Sequence, residues 1–263
     1  MIIKICGLKT SETAIACIKA GANIIGLVHY PLSPRHLDAA QMREILDAVE
    51  PYSALADEFT QVGNRPPGGC VDDSRQESLA IHSAEYRTLP PGGRQPTSGG
   101  LATFTRQGSK KHGLQTALVV VEQLPDAEIV SRFDYIQPYG QIRDEIPNKR
   151  ITVVKDYETF TRLLETPIVN EKLPLHALEM SDGLLPGGNG AAWDWSLARP
   201  FCERYPTLIA GGITPENVAE VIRQAKPFGI DVSSGVESAP GVKDIDKAKQ
   251  LIENVHKAII FGT

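Results

Sequence analysis

Two glycine turns near the carboxyl end of the chain carry the clearest chemical signal. Leu208 to Ala210 is a short apolar run, and Gly211-Gly212 ends it; Gly229-Ile230-Asp231-Val232 is a second run, and Ser233-Ser234-Gly235 ends that. Each reads as a tight turn at the carboxyl end of a buried strand. Thr214 fits an N-cap with Pro215 at the first helical position. Adjacent turns of this kind expose backbone N–H groups, and a helix starting there adds positive potential, which suits a phosphate dianion. Glycines alone also simply make turns; their repetition on successive strand ends is what points to phosphate. Cys6 closes another strand, Ile2 to Cys6. A free cysteine is most often a small buried hydrophobe. At a strand end, however, a thiol whose neighbours lower its pKa can act as a base near neutral pH. Arg35 lies in the proline-fixed stretch His29-Tyr30-Pro31-Leu32-Ser33-Pro34-Arg35. Its rigid donor fork suits an anion, the alternative being a solvated surface arginine.

The elements that must hold these residues alternate. Strands are expected at Ile2–Gly7, Ile24–Val28, Thr116–Val121, Asp134–Gln137, Ile151–Val154, Leu175–Met180, Leu208–Ala210 and Gly229–Val232. Helices are expected between most of them, for example Ser11–Ala20, Leu37–Val49 and Asp156–Leu164, with Asp246–His256 closing the ring. A regular β/α alternation predicts an α/β protein, a (β/α)8 TIM barrel of one domain over residues 1–263; an open doubly wound sheet is the second choice. In such barrels the phosphate site often follows the seventh and eighth strands, where the two glycine turns fall.

Residues 52–113 interrupt the pattern. Arg65-Pro66-Pro67-Gly68-Gly69, Pro90-Pro91-Gly92-Gly93 and Thr97-Ser98-Gly99-Gly100 are loop-like in composition. The stretch reads as an insertion after the second βα unit, on the face away from the active site, or as an atypical source of the third strand.

The strings KICGLK at the start, PGGNGAAWDW, and AGGITPENV with GIDVSSGVESAPGVKD resemble phosphoribosylanthranilate isomerase, a tryptophan-pathway family, over roughly residues 1–50 and 115–260. The resemblance implies an Amadori rearrangement of N-(5-phosphoribosyl)anthranilate, with Cys6 as general base and no cofactor or metal. It also implies a general-acid carboxylate before the glycine loop; spacing favours Asp182, with Glu179 as the second choice. Gly211, Gly212, Ser233, Ser234 and Gly235 would hold the phosphate. Arg35 would face the anthranilate carboxylate, Asp231 a substrate hydroxyl or amine, and Gln137 another part of the substrate. Where the family shows Gln-Leu-His-Gly, this chain has Gln137-Pro138-Tyr139-Gly140. Two rival functions stay open: a dual-substrate isomerase that also accepts the histidine-pathway aminoaldose, and a non-catalytic barrel that binds a phosphorylated metabolite.

Composition limits the partners. The formal net charge is −5, so nothing points to nucleic acid or anionic lipid. No apolar run reaches membrane-spanning length, and the start is a strand pattern rather than a signal peptide. The 4 cysteines are scattered, which fits a reduced cytoplasmic protein. The expected partner is a small phosphorylated substrate, bound by a monomer or homodimer.

Overall fold

The computed structural model describes residues 1–54, 113–140, 142, 149–168, 173–180 and 193–261. All of these fall in one compact unit, residues 1–59 with 111–263. Most of the expected insertion, residues 55–112, lies outside the described residues.

Eight parallel strands form a closed barrel in sequence order. They are β1 (Ile2–Cys6), β2 (Ile24–His29), β3 (Gln115–Val120), β4 (Tyr135–Pro138), β5 (Lys149–Val154), β6 (Leu175–Leu178), β7 (Thr207–Ile209) and β8 (Gly229–Val232). The described helices between them are α1 (Ser11–Ala20), α2 (Ala39–Ala54), α3 (Ala127–Ser131), α4 (Tyr157–Glu165), α5 (Arg199–Arg204), α6 (Val218–Ala225) and α7 (Ile245–Phe261). The barrel reading is therefore correct, and the third strand comes from Gln115–Val120 rather than from the insertion.

Alternation within β1 shows how the sequence builds both faces. Ile3 and Ile5 point outward into the large apolar cluster beneath the helices. Lys4 and Cys6, at the alternate positions, face the lumen. The lower lumen is filled by Ile24, Ala117, Ile151 and Ala177. The upper lumen holds Cys6, Val28 and Val119, with Tyr30 and Tyr139 against them. The barrel is thus a packed core that opens only at the carboxyl ends of its strands.

Local signals set the helix ends. Thr10 accepts a hydrogen bond from the Thr13 N–H at 3.3 Å and starts α1. Gly21 ends it with φ of 117°, a left-handed conformation. After β7 the helix starts later than the sequence suggests. Thr214 to Asn217 forms a separate turn, in which the Thr214 N–H donates to Asn217 Oδ1 at 2.8 Å. The helix proper begins at Val218. After β8 a short 3₁₀ turn, Ser234–Val236, leads into a hairpin, β9 (Glu237–Ala239) with β10 (Val242–Lys243), that the sequence did not reveal.

Candidate active site

A cleft of about 650 Å³, counted out to its open mouth, lies at the carboxyl ends of the strands. Cys6, Arg35, Glu179, Asp231 and both glycine turns line it. Sequence reading therefore placed most of its candidates on one face.

The two glycine turns are built as a unit. Gly211 and Gly212 adopt φ of 86° and 66°, a left-handed conformation that glycine takes without strain. The carbonyl oxygen of Gly212 accepts from Asn217 Nδ2 at 2.8 Å. Trp193 Nε1 donates to the Ala210 carbonyl at 3.0 Å. The second turn presses against the first: a Cβ on Gly235 would sit 1.8 Å from the Ile213 carbonyl oxygen. Ser233 Oγ donates to the Cys6 carbonyl at 3.0 Å, which ties this turn to β1.

Cys6 is buried and faces Gly26 across the β1–β2 pair. A Cβ there would lie 2.8 Å from the Cys6 sulfur. Burial pushes the thiol's pKa up; Lys4 pulls it down, Asp231 adds to the rise, and Lys243 opposes it. The net direction is upward: the lysines do pull the value down, but desolvation outweighs them.

Lys4, which sequence reading passed over, is fully buried. Its Nζ donates to Asp231 Oδ2 at 2.7 Å. Burial would lower the lysine pKa, but the Asp231 and Cys6 charges more than offset it, and the value rises. The clue was present in the sequence: a charged residue two positions before Cys6, hence on the same face of an apolar strand. Asp231 is accordingly already ion-paired, although one side of it faces the cleft.

Gln137 lies deeper than the cleft lining. It is fully buried and is not among the residues that line the cleft. Its side chain sits in the lumen one strand position below Tyr139, with Nε2 at 3.4 Å from both Asp231 Oδ2 and Tyr139 Oη. Its Oε1 has no hydrogen-bond partner among the described residues. Pro138 is tolerated beside it for a geometric reason. The Tyr139 N–H bonds Val120 on the β3 side at 2.8 Å. Adjacent residues point their N–H groups in opposite directions, so the donor missing at Pro138 would face β5, where pairing ends at Ile136↔Arg150.

Arg35 lines the cleft and is buried, so the solvated alternative does not hold; its Nε and Nη2 donate to the two Glu237 oxygens at 2.8 and 2.7 Å. Lys243 Nζ reaches Glu237 Oε1 at 2.6 Å and the Ser233 carbonyl at 2.9 Å. The fork expected to receive a substrate anion is thus largely occupied by a carboxylate from β9. Glu237 and Lys243 sit in the missed hairpin, whose Ser-Ala-Pro-Gly centre reads only as loop.

Of the two acid candidates, one falls among the described residues. Asp182 lies outside the described residues. Glu179, the residue after β6, is buried at the cleft wall, where Tyr139 Oη donates to its Oε2 at 2.9 Å.

A sequence profile of the family described as N-(5'phosphoribosyl)anthranilate (PRA) isomerase matches residues 120–254. The chain belongs to this family. An N-(5'-phosphoribosyl)anthranilate isomerase from Beijerinckia indica is 34% identical over 257 residues, spanning 98% of this chain and 95% of the relative. One from Paracoccus denitrificans is 31% identical over 258 residues, 98% of both chains. The crystal structure of phosphoribosyl anthranilate isomerase from Thermotoga maritima shares the family's fold with this chain, with a TM-score of 0.60, 23% identity, and coverage of 98% of this chain and 100% of that one. Among the described residues, no helix is long and apolar enough to cross a membrane.

Proposed function

We propose that this chain isomerises N-(5'-phosphoribosyl)anthranilate to 1-(2-carboxyphenylamino)-1-deoxyribulose 5-phosphate, a step of tryptophan biosynthesis in the reducing cytoplasm. The observation that carries this reading is a buried thiol and a buried carboxylate, Cys6 and Glu179, on one cleft with two glycine turns at its rim.

The geometry suits the following steps. The turns at Gly211-Gly212 and Ser233-Gly235 offer N–H groups to the phosphate, and that remote contact positions the sugar. Glu179, in its protonated form, gives a proton to the furanose ring oxygen, and the C1′–O bond breaks to leave an iminium. The thiolate form of Cys6 removes the C2′ proton, and the electron pair moves into the iminium to give an enolamine. Tautomerisation yields the ketone, so atoms and charge balance. Lys4, beneath Cys6, stabilises the thiolate as it forms. Glu179 takes the acid role here because it lies on the cleft with Cys6.

Steady-state turnover of phosphoribosylanthranilate, followed by loss of its fluorescence, tests the assignment. Wild type is expected to turn it over and to leave the histidine-pathway aminoaldose untouched. Cys6→Ala and Glu179→Gln are each expected to lose about 10²-fold or more in kcat. Full activity in Glu179→Gln, with loss in Asp182→Asn, would move the acid role to Asp182. Binding of a phosphorylated analogue without turnover would make the barrel a binder.

A further inference from the structure

Tyr139 stands where the family resemblance leads one to expect histidine, and its surroundings are specific. Its ring packs in the upper lumen with Cys6, Val28 and Val119. Its main-chain N–H is fixed to Val120 at 2.8 Å. The next residue, Gly140, has room for no side chain, since a Cβ would meet the Val121 carbonyl oxygen at 2.3 Å. The β4 end is therefore held close against β3, and the ring extends across the barrel mouth to β6. There the hydroxyl meets Glu179 Oε2 at 2.9 Å.

We propose that Tyr139 is a positioning residue for the isomerisation: its hydroxyl holds the Glu179 carboxyl at the cleft wall opposite Cys6. This rests on Glu179 being the acid. Glutamate carries one more rotatable bond than aspartate, so its carboxyl sweeps a larger volume unless something fixes it. A neutral donor does so without adding a charge. Burial pushes the tyrosine's pKa well above its ordinary value, and the negative Glu179, Asp231 and Cys6 add to the rise, so the hydroxyl keeps its proton throughout the working range. A hydrogen bond donated to the charged carboxylate favours that form. Removing it therefore withdraws that support from the charged carboxylate.

Tyr139→Phe keeps the ring and deletes the donor. The expected result is a kcat about ten-fold lower with KM changed less than about two-fold, as for one hydrogen bond to a charged group. The limb of the kcat/KM profile that reports Glu179 should also move to higher pH, a shift that a loss of folded enzyme cannot produce. Fluorotyrosine at position 139 gives a stronger donor in the same ring and should move the limb to lower pH; it serves equally if Tyr139→Phe folds poorly. In a Glu179→Gln background, Tyr139→Phe should add little further loss. An unmoved limb in both position-139 variants would overturn the proposal while leaving Glu179 as the acid. Full activity in Glu179→Gln would overturn the acid assignment itself.

Discussion

Glu237 shows how much one side chain can hold at this site. It is the shared partner of two cations, Arg35 and Lys243, and all three are nearly free of solvent. Burial pushes its carboxyl up, but Arg35 and Lys243 outweigh burial and hold it below the usual carboxylate range. The folded pKa is thus below the unfolded one. The resulting stability is present above the ordinary carboxylate pKa and is lost as pH falls through the folded value. Glu237→Gln leaves two buried cations without a counter-charge, which costs about 3–5 kcal/mol. Urea denaturation at neutral pH should show that loss, together with a flatter acid-side stability curve than wild type. Arg35 also lies over Gly7, where a Cβ would fall 2.4 Å from its Cδ. Residues at this scale were half legible. Cys6, Gly211, Gly212 and the Ser233–Gly235 turn announce themselves through strand ends and turn chemistry, which are local. The partners of Arg35 and Asp231 come from residues 202 and 227 positions away, and no local pattern encodes such a distance.

At the scale of elements, glycines decide how closely neighbouring strand ends approach. Gly26 on β2 makes room for the Cys6 sulfur, and Gly235 lets the β8 turn lie on the β7 turn. The two positions separate chemistry from binding. Gly26→Ala displaces the thiol and should lower kcat by about ten-fold or more, with phosphate affinity kept. Gly235→Ala forces two backbones apart and should raise KM and weaken inhibition by inorganic phosphate while kcat falls less. Steady-state kinetics with phosphate as a competitive inhibitor reads both effects. The strands were legible because apolar runs bounded by glycine recur in order. The late start of α6 was not, because Thr214-Pro215 can cap a helix or close a turn, and Asn217, bonding both Thr214 and Gly212, decides for the turn. The β9–β10 hairpin was not, because its strands are 3 and 2 residues long and too short to show alternation.

For the whole molecule, acid sensitivity is also set far from the cleft. His176 lies on the outer face of β6 among Phe201 and Tyr205, with ring centroids 5.3 and 4.8 Å away. Burial pushes its pKa down to about 4. The unfolded chain binds this proton from about pH 6.5 downward, whereas the folded one refuses it, so stability falls as pH drops across that window. The full span is worth about 3 kcal/mol. His176→Phe should lose less stability than wild type between neutral pH and pH 5, measured by chemical denaturation at each pH.

The Lys4–Asp231 ion pair joins directly opposed residues of β1 and β8, the first and last strands of the ring. This has a consequence for the order of events during synthesis. The first strand of the ring leaves the ribosome with a charge whose partner carboxylate is absent until β8 has been made. Its edge also stays open until then. The ring therefore cannot seal progressively; it seals in one late step, in which the last strand brings the missing carboxylate and the second glycine turn together. Catalytic competence and closure arrive at the same moment, and a nascent chain halted before β8 has neither.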